Sequence, residues 1–210
     1  MSTSRRAAGL GLLGYAIGTL GALMAIGSPG GDYEDGIVGT FLSSGHRIAA
    51  FALAYLGLVA ALGLVPVARH VRDELGSAGR TAGALAVAAV GTAVTGWFVV
   101  GGVAVAATEG GTAVSAVPHP VIYVLTEIGN LIAVCGPSFL VGIAALVVAF
   151  RGSLPVAPRV VAAVAGVCGV VAPLYFPMFV YFLGILALGV WCLASRAPRP
   201  QPAPAQTQLV

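Results

Sequence analysis

The stretch PHPVIYVLTEIGNLIAVCGPS, residues 118–138, decides how the rest of the chain is read. Its one formal charge is a carboxylic acid, Glu127, and its apolar character continues to residue 150. At about 100° per residue, His119, Tyr123, Glu127 and Asn130 fall within an arc of about 80° on one helix face. Val121, Ile122, Leu125, Ile128, Leu131 and Ile132 occupy the other faces and suit lipid or neighbouring helices. The stretch reads as the outer half of a membrane-crossing helix. An ionisable residue inside such a span is costly, so Glu127 becomes a functional candidate.

The whole chain agrees. Of its 210 residues 59% are hydrophobic and only 8% charged, and the mean hydropathy is +1.01. A soluble domain carries roughly 25% charged residues, so a water-facing surface cannot be made from this inventory. All ten basic residues are arginines. With the abundant Gly, Ala and Val they reflect codon bias, and no basic stripe with interleaved aromatics points to nucleic acid. Cys135, Cys168 and Cys192 lie in apolar runs at no metal-like spacing and read as small buried hydrophobes.

Six apolar runs follow one another, at about 7–26, 46–68, 81–107, 119–150, 159–172 and 178–194. The expected fold is all-α: a polytopic membrane bundle of six transmembrane helices over residues 1–195, with a disordered Pro-rich tail at 196–210. Arg5 and Arg6 before the first run resemble a signal-peptide start, but the run is long enough to span and reads as an uncleaved helix. Its GLGLLG string matches a dinucleotide-binding pattern only by chance, because no strand precedes it. Gly11, Gly14, Gly18 and Gly21 instead form a small-residue ridge for close helix packing, and the glycine-rich helix is a possible homodimer surface. Pro137 is expected to kink the fourth helix. Residues 69–80 read as a charged connection, and the prolines 173 and 177 bracket a tight turn.

Arg5, Arg6, Arg69, Arg72, Arg80, Arg151, Arg159, Arg196 and Arg199 all fall at ends or loops of one parity, nine of the ten arginines. The positive-inside rule makes that side, and both termini, cytoplasmic. Arg47 is the exception. It starts the second helix beside His46 at the outer face, where His119 opens the fourth. Glu127 lies about 12 Å along the helix from His119, and Asn130 about 16 Å. Thr95 and Trp97 of the third helix reach a similar depth. Arg47 and Glu127 are thus the opposite charges that can meet in the outer leaflet, and a pair between them is expected. Asp32, Glu34 and Asp35 are competing partners for Arg47, and headgroup snorkelling is another.

This outer constellation of His46, Arg47, Thr95, Trp97, His119, Tyr123, Glu127 and Asn130 is the candidate ligand-binding site. No second polar site emerges along the chain. Glu127 is the candidate catalytic group, since a desolvated acid can act as general acid or base. A metal set or a haem between His46 and His119 has no enforcing spacing, so no cofactor or metal is expected. No soluble-type catalytic motif is present.

Four short stretches carry a resemblance: VGTFLSSGH (38–46), YVLTEIGN (123–130), LPVAPR (154–159) and VVAPLYFPMFVYFLGI (170–185). In these the chain resembles an uncharacterised family of small six-helix bacterial membrane proteins. The resemblance implies a fold and a plasma-membrane location, and no known activity. Three functions follow from the residues. The first is binding or translocation of a small lipophilic or proton-linked ligand. The second is a membrane-embedded enzyme acting through Glu127 on a lipidic substrate. The third is a structural subunit in which Glu127, Arg47 and Asn130 join helices.

Overall fold

The computed structural model describes residues 3–26, 44–109 and 117–195. Every regular element among them is helical. In chain order these are α1 (Thr3–Ile26), α2 (Ser44–Ala61), α3 (Leu64–Glu74), α4 (Gly76–Glu109) and α5 (His119–Asn130). A π-helical segment (Leu131–Cys135), α6 (Gly136–Arg151), α7 (Val156–Val170), a 3₁₀ turn (Ala172–Leu174) and α8 (Phe176–Ala194) complete the chain. Five helical stretches are long and apolar enough to cross a membrane, and α7 is a shorter apolar helix. Leu10, Ile17, Phe51, Tyr55, Val87, Phe98, Val160 and Leu183 all face outward, as lipid contact requires.

Prolines set where the spans break. The second run was expected to be continuous, but it divides at Leu62 and Gly63 into α2 and α3. Pro66 has no N–H to give Leu62, whose carbonyl instead accepts from the Val65 amide at 3.0 Å. The fourth run widens into a π turn just ahead of Pro137. The proline ring would collide with the carbonyl four residues back, and the wider turn removes that collision.

The charged residues expected in a connection are helical instead, since α3 runs on to Glu74. Its buried side holds Leu64 and Ala68, while Arg69, Arg72, Asp73 and Glu74 are exposed. The reversal into α4 needs only Leu75 and Gly76, and Gly76 takes φ +55, which glycine adopts without strain.

Each span packs on its chain neighbours, and α8 returns to α1. The result is a closed ring: α1, then α2 with α3, α4, α5 with α6, α7 and α8. Close approach at glycines holds neighbours together. Gly11 of α1 meets Gly63, Gly57 of α2 lies under the Trp97 indole, and Gly96 of α4 meets Ala133. Gly9 faces Gly189 and Leu193 of α8, closing the circle. The expected ridge on α1 is therefore split. Gly11 and Gly18 pack on the second span, whereas Gly14 and Gly21 face open space.

This contrast gives a matched test. A Cβ at Gly11 would run into the Gly63 carbonyl oxygen, so Gly11→Leu is expected to cost about 2–3 kcal/mol or more. Gly14→Leu should stay within about 0.5 kcal/mol of the parent. Reversible unfolding of the two variants in mixed micelles would measure the difference.

Candidate functional site

Helix α5 sets the outer polar face. Glu127 is half-buried and accepts a hydrogen bond from the Tyr175 phenol at 3.1 Å. Tyr175 belongs to the corner before α8, so this contact ties the fourth span to the last. Two prolines build the corner, Pro173 in the 3₁₀ turn and Pro177 in the first turn of α8. Between them Tyr175 takes φ 62 and ψ −62. It is the one non-glycine residue with positive φ among those described. Such a backbone costs about 1–3 kcal/mol and persists only where its surroundings hold it. Here the Tyr175 amide donates to Ala172 at 2.9 Å and its carbonyl accepts from Met178 at 3.0 Å.

Tyr175 is 59% exposed, yet partial desolvation at the corner, then the charge and hydrogen bond of Glu127, push its phenol from 10.0 up to about 12. A raised pKa favours the protonated phenol in the fold. The stabilisation is therefore complete below pH 10.0 and lost as pH rises toward about 12. Tyr175 remains a donor throughout the physiological range.

One level of the ring interior lies inward of this contact. Gly18 stands against Ala60, Gly57 against Trp97, Gly96 against Ala133 and Gly129 against Val100. These contacts bring Thr19, Trp97 and Asn130 to within about one helical turn of the same height on three different spans. All three are buried, at 0%, 1% and 7% exposure. Each keeps a buried polar atom, Thr19 Oγ1, Trp97 Nε1 and Asn130 Oδ1, with no hydrogen-bond partner among the described residues. An orphaned buried group costs about 1–3 kcal/mol, and native proteins hold few of them.

The other candidate residues divide clearly. Tyr123 shares the half-buried face of Glu127. Thr95 is exposed and donates to the Gly91 carbonyl of its own helix at 2.9 Å, so it stands apart from this group. The side chains of His46, Arg47 and His119, and with them the expected Arg47–Glu127 pair, lie outside the described residues, as do Asp32, Glu34, Asp35 and the tail. Among the described residues no three His, Cys, Asp or Glu side chains gather as a metal would need. Thr19 was missed because a lone threonine in an Ala- and Gly-rich helix carries no signal until the ring places it beside Trp97 and Asn130.

Next inward is a plug of large side chains. The Tyr181 hydroxyl donates to the Tyr15 hydroxyl at 3.3 Å, both residues are fully buried, and Ser138 sits beside both phenols. Phe182 packs on Tyr15 with ring centroids 5.9 Å apart.

Beyond the plug lies a feature the sequence reading did not contain, a cavity of about 500 Å³ at the arginine-rich end. Leu12, Leu64, Val141 and Ile185 form its floor, Ala82, Ala86, Ala144 and Ala162 its walls, and Arg5, His70, Glu74 and Ser153 its mouth. The interior thus holds two separate features, a level of buried polar groups and an apolar cavity.

No family model, curated protein or solved structure matches the chain. Its site is read from its own geometry.

The Glu127–Tyr175 contact can be measured alone. Tyr175→Phe is expected to cost about 1 kcal/mol, the worth of one hydrogen bond. In a cycle with Glu127→Gln the two changes should couple by about 0.5 kcal/mol or more. Strictly additive unfolding energies would show that the bond holds nothing.

Proposed function

We propose that this multi-pass membrane protein binds a small lipophilic molecule in the outer half of its ring interior. The molecule would carry both a hydrogen-bond donor and an acceptor. The observation that carries this reading is the set of orphaned polar atoms at one level: an acceptor on Asn130, a donor on Trp97 and a hydroxyl on Thr19. Polar groups facing a bundle interior commonly mark ligand pathways. Glu127, held by Tyr175, lies between this level and the outer face and supplies a proton-accepting group along the approach. On this reading the tyrosine plug is a barrier that a translocated ligand has to pass. By the positive-inside rule the arginine end faces the cytoplasm, so passage would run between the outer face and that compartment.

The structural alternative makes the opposite forecast for one substitution. If Asn130 were interhelical glue, Asn130→Leu would lose a bond and destabilise the protein. If its carbonyl oxygen awaits a ligand, replacing an unsatisfied polar group with an apolar one is neutral or stabilising. We expect Asn130→Leu to melt at or above the parent temperature, and Trp97→Phe to melt lower because it also loses indole packing on Gly57. Both should also lose the stabilisation that a panel of lipophilic phenols and amides gives the parent. At a ligand concentration about 100 times Kd that stabilisation is about 2.7 kcal/mol. A drop in melting temperature for ligand-free Asn130→Leu would favour the structural reading.

A further inference from the structure

We propose that the cavity at the arginine-rich end is a second, independent binding site, and that it takes a single-chain amphiphile with a small anionic headgroup. Its size sets the chain. At about 30 Å³ per water-sized group, 500 Å³ holds on the order of 16 non-hydrogen atoms. Its depth from Arg5 to Leu12 is about 10 Å at 1.5 Å per residue. One medium-length alkyl chain fits these limits, and a two-chain lipid does not. Alanines from α4, α6 and α7 stand in the lining among larger Leu, Val and Ile side chains, so an alkyl chain seated there lies on hydrocarbon.

The mouth sets the headgroup. The Arg5 guanidinium lies 4.5 Å from the centroid of the Trp191 ring and beside the Cys192 thiol. Stacked on indole and with one hydrogen bond to the Cys192 thiol, the guanidinium keeps further N–H donors of its fork for an oxyanion. Ser4 Oγ lies 3.2 Å from His70 Nδ1, which fixes the start of α1 across the mouth. A second cation is held nearby, since Arg159 Nη2 donates to the Leu154 carbonyl at 2.8 Å and Leu154 lines the cavity.

Glu74 is the acid at the mouth, and Asp73 precedes it on α3. Against them the same end exposes Arg6, Arg69, Arg72, Arg80 and Arg151 as well as Arg159. The field over the entrance is therefore positive and draws anions. Glu74 discriminates within that class: it repels a bulky polyanionic headgroup and leaves a single small anion as the fit.

The test uses the full chain in nanodiscs of zwitterionic lipid, with 2-bromododecanoate as probe. Its bromine sits beside the carboxylate and would quench Trp191 on binding. Saturable quenching at one probe per chain is the expected result. Arg5→Gln should weaken it about tenfold or more, as loss of a charge-assisted contact does, while Arg5→Lys should retain most of it. Ala144→Phe, which fills the wall, should abolish it even if Arg5 variants fold poorly. Asn130→Leu should leave it unchanged, which separates this site from the one in the outer half. Quenching that never saturates, unaltered affinity in Arg5→Gln, or equal competition by dodecanol and dodecyltrimethylammonium would each overturn the proposal.

Discussion

Everything in this structure depends on backbones approaching closely enough to close a ring. Lipid is as apolar as leucine, so helices in a membrane gain little by burying leucine against each other. They gain by fitting tightly, and glycine allows the tightest fit. Gly11 against Gly63, Gly96 against Ala133 and Gly9 against Gly189 tie three of the joints of the circle. Once α8 rests on α1 the bundle has an inside, shielded from lipid and water by its own spans. What fills that inside follows from side-chain size. Tyr15, Trp97, Tyr181 and Phe182 fill the middle and outer levels, while at the arginine end aliphatic side chains, small alanines among them, leave a cavity.

The sequence showed the spans and their order, because twenty-odd apolar residues in a row admit few readings. It did not show the break at Leu62, although Pro66 stands four residues on and was there to be used. Nor did it separate the glycines of α1. Gly11 and Gly14 lie on one helix only three residues apart, yet one meets a neighbouring backbone and the other meets nothing. Periodicity assigns residues to faces but cannot say which face a neighbour will take.

The candidate site was legible in part for the same reason. Asn130 and Trp97 are the two members of the expected constellation that the structure buries. Thr95 had the right depth and the wrong direction. Tyr175 was invisible as a partner for Glu127 because their contact spans 48 residues of sequence. Its signal was the pair of prolines at 173 and 177, which leave the chain too little room to reverse without a left-handed residue. The cavity had no local signal at all. It is lined by leucines, valines and alanines on several spans, each unremarkable alone, and only ring closure sets them facing one another.

The two interior features differ in the physics that makes each a place for a guest. At the outer level the fold buries donors and acceptors that have no partner among the described residues. A ligand there must bring matching polar groups, and shape matters less than pattern. At the arginine end contact is what is missing, since apolar walls stand too far apart to touch. A ligand there must bring volume, with its polarity confined to the mouth where Arg5 lies on Trp191. Between them Tyr15 and Tyr181 satisfy each other and close the interior. A molecule suited to one chamber is poorly suited to the other, so occupancy of the two is set by different chemistry. The fold separates them with the least replaceable part of its core.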